Sequence, residues 1–292
     1  MLKRDARRKV FIIFGITTGI FLLVIGMRYQ AVVGTVQAKT TNKVSLEVAT
    51  ATSATANLQH APTGTANLSY NAGAKTLTVS IALIGLAPGS THPAHIHVGS
   101  CASSKTTDPI KYPFQNVVAN GVGQGSSTTV LHNITSIPAS GWYINVHNGP
   151  GLQPADQFTP IACGNISRTD NVAQFRVPLG ATNFPNESAS GSSRLQVVNG
   201  KLTVTLSVRG LVPNSLHAAH IHAGSCASAG NALYNMSPLQ ANAQGNASKT
   251  VTFNNVSSIP ASGWAITIHY TNDLSTQTGY NPILCGNVVP SA

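Results

Sequence analysis

The longest hydrophobic stretch of the chain lies near its beginning and contains no charged residue. Residues 10–27 read VFIIFGITTGIFLLVIGM, and five basic residues precede them. A run of this length can span a bilayer as a helix, and basic flanking residues stay on the cytoplasmic side. We therefore predict a cytoplasmic basic segment at 1–9, a transmembrane anchor at 10–27 and a single-pass protein of the cell membrane, extracytoplasmic thereafter. A cleavable signal peptide is the alternative, because small residues precede a cleavage point at Ala38, and the protein would then be secreted.

Beyond that stretch, hydrophobic residues alternate with polar ones in segments of strand length. KTLTVSIAL at 75–83 and KLTVTLSV at 201–208 each place aliphatic residues at every second position. A period of two is typical of half-buried strands, and the glycine-containing turns NAGAK and VNGK precede these segments as hairpin turns would. No segment beyond the anchor has a convincing helical period. We predict an all-β fold built from antiparallel sandwich or barrel domains.

The alternating segments occur twice because the chain contains a long internal repeat. HPAHIHVGSC at 92–101 returns as HAAHIHAGSC at 217–226, and SIPASGW at 136–142 returns at 258–264. PIACGNI at 160–166 likewise returns as PILCGNV at 282–288. A period this long indicates tandem domains rather than a solenoid. We predict a polar linker at 28–47, a first domain at 48–168 and a second domain at 169–290.

The charge distribution argues against a nucleic-acid-binding protein, and the cysteine content indicates disulfides. The formal net charge is +10, but six of the 17 basic residues lie within the first 28 positions. The rest form no basic cluster, so we expect no nucleic-acid partner. The four cysteines are an even set in a chain predicted to reach an oxidising compartment, where disulfides persist. No C-x-x-C pair supports a zinc ribbon.

Strand parity groups three histidines in each repeat. His95 and His97 are two residues apart and share one face of a strand, and His147 has the opposite parity to the apolar residues of WYINVH. The second repeat has the same pattern, so three imidazoles per repeat are predicted to lie on the outer side, away from the core. The six positions are His95, His97 and His147 in the first repeat and His220, His222 and His269 in the second. Three neutral imidazoles suit copper or zinc, with copper favoured by affinity. Alternatively, the imidazoles hydrogen-bond a loop and hold no metal.

The motifs around these histidines resemble the Cu/Zn superoxide dismutase family. The resemblance rests on HxxHIH followed by a cysteine, a strand ending in VH or IH, and the sequences ACGNI and LCGNV, and it covers most of both repeats. It implies two tandem Greek-key β-sandwich or barrel domains in which the six histidines are copper ligands. It also implies that His92 and His217 brace the copper-binding strand. Asp273 would support the ligands without binding the metal itself. The implied disulfides are Cys101–Cys163 and Cys226–Cys285, each worth about 4 kcal/mol in the chain-entropy model.

The chain departs from that family in ways that affect its chemistry. The long zinc loop and its bridging histidine are missing, and prolines at 160 and 282 stand where the family has an arginine that orients superoxide. We therefore expect a copper-only centre without a zinc site, and superoxide or a copper-exchange protein as the partner. The resulting prediction is an extracytoplasmic, membrane-anchored, dismutase-like copper-binding protein, with its enzymatic activity left open.

A second resemblance competes with the first. AHIHVG and GWYINVHNGPG in the first repeat look like the CHRD domain, a related β-sandwich of secreted proteins. This resemblance implies an extracellular binding or structural module without catalysis, whose histidines stabilise loops. A third hypothesis is copper buffering or delivery, which needs the ligands but no arginine.

Overall fold

The computed structural model of the protein describes residues 50–168 and 172–291. Within these ranges no helix is long and apolar enough to cross a bilayer. The predicted cytoplasmic segment, anchor and linker lie outside the described residues.

The described residues form β-strands, with short helices in the loops, and the all-β prediction is confirmed. The strands that begin before residue 169 are Thr50–Ala51 (β1), Ser53–His60 (β2), Thr63–Asn71 (β3), Thr76–Ile84 (β4), Thr91–His92 (β5), Ala94–Val98 (β6), Ile110–Pro113 (β7), Val117–Ala119 (β8), Gly125–Leu131 (β9), Trp142–His147 (β10) and Pro160–Ile166 (β11). A 3-10 helix at Cys101–Ser103 and helix α1 at Ala155–Phe158 lie between them.

The strands of the second repeat follow the same plan. They are Gln174–Leu179 (β12), Ser190–Val198 (β13), Lys201–Arg209 (β14), Leu216–His217 (β15), Ala219–Ser225 (β16), Ser228–Asn235 (β17), Leu239–Gln240 (β18), Ala247–Asn254 (β19), Ile259–Pro260 (β20), Trp264–His269 (β21), Pro282–Asn287 (β22) and Val289–Pro290 (β23). Helix α2 at Gln277–Tyr280 corresponds to α1.

The predicted hairpins form as the alternating pattern requires. In β4 and β14 the aliphatic positions are buried, while the residues between them face solvent or are half-buried. The turn between β13 and β14 consists of Asn199 and Gly200, both with positive φ. This combination matches a type I′ turn, whose twist suits a two-residue hairpin.

The sheets exchange one strand between the two repeats. In the first repeat, β3 pairs not with β2 but with β12, which comes from the far side of the predicted boundary at 168/169. In return, β2 inserts into the second repeat between β13 and β22. Two sheets, ordered β11-β10-β6-β7 and β12-β3-β4-β9-β8-β5, thus surround the first core, and one continuous curled sheet surrounds the second.

The exchange also explains the glycine in the repeated CGN motif. A Cβ atom at Gly164 would lie 2.3 Å from the carbonyl oxygen of Pro178 in β12, and one at Gly286 would lie 2.5 Å from the carbonyl oxygen of Asn57 in β2. Both distances are too short for any side chain. The exchanged strand therefore crosses each repeat at the same glycine, which leaves room for its backbone.

Two large hydrophobic cores in the described ranges follow the sheets rather than the linear repeats. Ala54, Ala56 and Leu58 of β2 pack into the second core, with residues from 189–288. Val177 and Leu179 of β12 pack into the first core, with residues from 66–166. Each repeat therefore depends on the other for part of its interior.

A buried histidine at the end of β2 lies near a buried glutamate that precedes β13. His60, at the end of β2, donates a hydrogen bond from Nε2 to the carbonyl oxygen of Ile161 (2.9 Å). Its Nδ1 lies 3.8 Å from a carboxyl oxygen of Glu187, and neither oxygen of that carboxyl has a hydrogen-bond partner in the described part of the chain. Burial lowers the pKa of His60 to about 4 and raises the pKa of Glu187 well above its usual value.

We expect E187Q to gain stability relative to the wild type as the pH rises from about 5 to about 8. Because the pKa of Glu187 is raised in the folded state, the folded protein binds more protons than the unfolded chain above pH ~4.5, so wild-type stability falls with rising pH. The difference between the two proteins should grow by at most about 1.4 kcal/mol per pH unit. His60 has the opposite pH dependence, but it is present in both proteins and cancels.

Denaturant unfolding of both proteins at several pH values measures this difference. A variant that becomes less stable than the wild type as the pH rises would contradict the prediction, because it would mean that Glu187 is ionised in an ion pair with His60.

Candidate metal centres

Two neighbouring strands bring the three histidines of the first repeat together. His95 and His97 lie on β6, and His147 ends β10, which pairs with β6 so that His95 is opposite Asn145. The ring centroid of His147 is 5.1 Å from that of His95 and 6.0 Å from that of His97. A register shift at His147 separates it from the regular ladder with β11. We call these residues the first triad.

The second repeat builds the same arrangement on β16 and β21. The ring centroid of His220 is 5.6 Å from that of His222 and 5.2 Å from that of His269. We call these three residues the second triad. In each triad every ring offers one nitrogen as a ligand, and the three nitrogens lie within 4.8 Å of one another. They are close enough together to share one metal ion.

In each triad, one nitrogen of every ring lacks a hydrogen-bond partner among the described residues. These atoms are Nδ1 of His95, Nε2 of His97 and Nε2 of His147 in the first triad, and Nδ1 of His220, Nε2 of His222 and Nε2 of His269 in the second. A buried polar atom without a partner is costly. Six such atoms in two matching sets fit a donor set for two metal ions.

Backbone carbonyl groups fix the orientation and tautomer of two rings in each triad. His97 donates from Nδ1 to Pro109 O (3.1 Å), and His147 donates from Nδ1 to Phe158 O (2.6 Å). Because Nδ1 carries the proton, the lone pair of Nε2 is free to bind a metal. In the second triad, the carbonyl oxygens of Gly230 and Tyr280 accept the corresponding bonds from His222 and His269.

The triads are buried, which corrects the expectation that they lie exposed on the outer side. The histidines do face away from the apolar core, as parity predicted, but at most 8% of any of them is exposed. Two aromatic rings pack against them, with the centroid of Phe158 4.5 Å from that of His147 and the centroid of Tyr280 4.9 Å from that of His269. Burial lowers the pKa of His95 to about 4, and that of His147 and His269 to about 3. These imidazoles are therefore neutral near pH 7, the form that binds metal.

The residues predicted to support the ligands are placed in different ways. His92 donates from Nδ1 to the carbonyl oxygen of His147 (2.8 Å), and His217 does the same to His269 (2.8 Å). Asp273 lies on an exposed loop, and its contacts are with Thr271 and Ser275. The structure therefore joins His92 and His217 to the triads but not Asp273.

Both disulfides implied by the dismutase resemblance are present. Cys101–Cys163 and Cys226–Cys285 connect the loop after each HIH motif to the strand that pairs with β10 or β21. The described residues contain no free cysteine. Two disulfides agree with a location in an oxidising compartment.

Sequence reasoning missed a tyrosine that makes the two sites different. Tyr143 is fully buried, stacks on His97 with ring centroids 5.2 Å apart, and donates from its hydroxyl to Asp108 (2.6 Å). Burial and this bond raise the pKa of Tyr143 to about 12. Ala265 occupies the equivalent position beside His222. The signal was present, since Tyr143 has the same strand parity as His147.

The second triad borders a small cavity. It has a volume of about 20 Å³, and its lining includes His222, His269 and Thr267. Gly85, Leu86 and Pro88 of the first repeat close it from the other side. A cavity of this size has room for about one water molecule.

Comparison with known proteins gives a family match over most of the first repeat. No curated protein matches the chain. The family model of the CHRD domain matches residues 37–150, a range that includes all three histidines of the first triad and ends before Cys163. The dismutase resemblance stays a prediction from the motifs. Residues 37–150 are thus similar to the CHRD domain, and the CHRD resemblance is confirmed there.

Proposed function

We propose that this protein is an extracytoplasmic binding module of CHRD type that holds one copper ion in each histidine triad. The observation that carries the proposal is the matching set of three unpartnered, buried imidazole nitrogens in each repeat. The CHRD match supports the module, and the two disulfides support its location outside the cytoplasm.

The donor chemistry favours copper over the other common divalent metals. Imidazole suits copper, zinc, iron and nickel, and at a given nitrogen site Cu²⁺ binds most tightly of the first-row divalent ions. The carbonyl groups that hold His97, His147, His222 and His269 keep each ring in place before any ion arrives. Because the imidazoles are already neutral, copper displaces no protons from them when it binds. Buffering or delivery of copper needs no more than this.

Dismutation of superoxide is the second candidate function, and one observation favours it. The cavity beside His222 and His269 could admit a molecule about the size of water to the second triad. A bound copper ion would supply the one-electron chemistry. Pro282, which lines the same cavity, offers no charge to attract an anion, so we place this candidate below copper binding.

Copper stoichiometry of the purified full-length protein tests the proposal. We expect about two copper ions per chain for the wild type, about one for either His147→Ala or His269→Ala, and none for the double variant. His132→Ala is the matched control, because His132 is exposed and belongs to neither triad. It should bind two ions.

Superoxide consumption measured on the same samples separates the candidates. Activity that is present in the wild type and lost in His269→Ala would support dismutation. Copper binding without superoxide consumption would support the binding module and exclude dismutation. A wild type that binds no copper would overturn the metal proposal and leave a CHRD-type module whose histidines stabilise loops.

A further inference from the structure

Helix α2 of the second repeat contacts a residue of the second triad and the backbone next to the first triad. Its last residue, Tyr280, accepts the hydrogen bond from Nδ1 of His269 (2.6 Å) and so orients a ligand of the second triad. Its first residue, Gln277, reaches into the first repeat. The side-chain amide of Gln277 donates to the carbonyl oxygens of Thr91 (2.8 Å) and Asn148 (3.2 Å).

Gln277 contacts one residue next to the first triad and one next to the histidine that supports it. Thr91 precedes His92, the residue that donates to the carbonyl of His147, and Asn148 directly follows His147. The backbone N–H of Thr91 also donates to Oε1 of Gln277 (3.0 Å), so this amide pairs with Thr91 in both directions. The position of α2 therefore affects the backbone that holds His147.

Asn281 provides a second and shorter connection. It directly follows Tyr280, and its Nδ2 donates to both the carbonyl oxygen and Oδ1 of Asn148, each at 2.6 Å. Both residues are buried, with at most 1% exposed. One side-chain amide thus joins the residue after His147 to the peptide that orients His269. Buried amide networks of this kind are rigid because every lost bond leaves a polar group without a partner.

The first repeat has a residue at the position equivalent to Asn281. Thr159 follows Phe158, whose carbonyl group orients His147, just as Asn281 follows Tyr280. Bonds from Gln277 and Asn281 thus join the segment that positions His269 to the backbone next to His147.

We infer that the two triads are coupled, so that a metal ion in one increases the affinity of the other, with Gln277 and Asn281 as the positioning residues that transmit the effect. The inference rests on the proposed metal binding. An ion bound to His269 holds Tyr280 and α2 in place, and Gln277 and Asn281 then hold the backbone of Asn148, next to His147, and of Thr91. The second ion meets a site that is already ordered and loses less entropy on binding.

Copper(II) binding isotherms of the full-length protein, measured in competition with a chelator, test the coupling. His220→Ala leaves a single site in the first repeat, and His95→Ala leaves a single site in the second. We expect the product of the two wild-type association constants to exceed the product of the single-site constants by about tenfold, within the range usual for coupled sites. Independent sites would give equal products.

The variant Gln277→Ala should abolish most of this excess while each site still binds copper. The matched control is Gln124→Ala, which removes another glutamine-to-backbone hydrogen bond between the repeats, to Ala227, and touches no residue adjacent to His147 or His269. It should retain the excess. If Gln277→Ala only damaged the structure, it would lower the association constants of the single sites. The ratio of the two products would then stay unchanged.

The outcomes separate this inference from the proposed function. If neither single-site variant binds copper, the metal proposal and the coupling both fail. If both bind and the products are equal, only the coupling fails. An excess that persists unchanged in both Gln277→Ala and Asn281→Ala would overturn the assignment of these residues.

Discussion

A fragment of residues 62–180 is expected to fold by itself, whereas a fragment of residues 48–168 is not. The first fragment contains every strand of the first core, including β12. The second fragment follows the linear repeat, keeps β2 without its partners β13 and β22, and lacks β12. A fragment whose ends follow the sheets should therefore keep the folded structure of the first repeat. A fragment whose ends follow the repeat boundary should lose it.

The expected size of this effect follows from burial. Val177 and Leu179 of β12 are almost completely buried in the first core, and losing two such side chains costs about 3–6 kcal/mol. The edge of β3 also loses its hydrogen-bonded partner over six residue pairs. Since small domains are stable by only about 5–15 kcal/mol, this loss should prevent cooperative folding.

Circular dichroism and thermal unfolding of the two fragments, both oxidised, measure the difference. The fragment 62–180 should unfold cooperatively and bind about one copper ion. A matched experiment on the second repeat uses residues 181–291, which should recover structure when a peptide of residues 50–61 supplies β2. Cooperative unfolding of fragment 48–168 would contradict the strand exchange.

Replacing the buried tyrosine of the first triad is expected to destabilise the protein strongly. Tyr143 is fully buried and contacts the ring of His97. Truncating a buried aromatic side chain to alanine costs about 3–5 kcal/mol, so Tyr143→Ala should lower the free energy of unfolding by this amount. Copper bound at the first triad should also give an altered spectrum, because the neighbour of His97 is gone.

Tyr143→Phe is the matched control, because it keeps the ring and removes only the hydroxyl that donates to Asp108. We expect a smaller loss, about 1 kcal/mol, since Asp108 is accessible to water. Denaturant unfolding of the two variants gives the comparison. Equal losses would show that the hydrogen bond rather than the packed ring stabilises this region.

Local sequence patterns were sufficient to predict strands and to group the six histidines of the triads. The alternation in β4 and β14 predicted strands because burying one face of a sheet requires a period of two. The turn at Asn199 and Gly200 could be identified because it requires a positive φ at two successive positions. Asn followed by Gly is the pair that most often meets this requirement. Parity placed His95 and His97 on one face, and the repeat of the whole motif paired them with His147.

Tertiary structure decided which sheet each exchanged strand joins. β2 and β12 both alternate between apolar and polar residues, and either could have paired with β3. Strand pairing uses backbone hydrogen bonds, which are alike for every sequence, so the pattern of one strand does not identify its partner. The boundary predicted at 168/169 follows the repeat, whereas the cores follow the sheets.

The burial of the triads was also outside the reach of the sequence. Parity shows which way a side chain points from its strand but not what lies above it. The carbonyl groups of Pro109, Phe158, Gly230 and Tyr280 come from segments beyond these strands, and by accepting from Nδ1 they leave Nε2 of four rings free. The repeat, its alternating strands and the grouping of the six histidines could thus be predicted from the amino-acid pattern. Only the folded chain decided which strands complete each repeat and how the two triads are buried and joined, because these features depend on contacts between segments far apart in sequence.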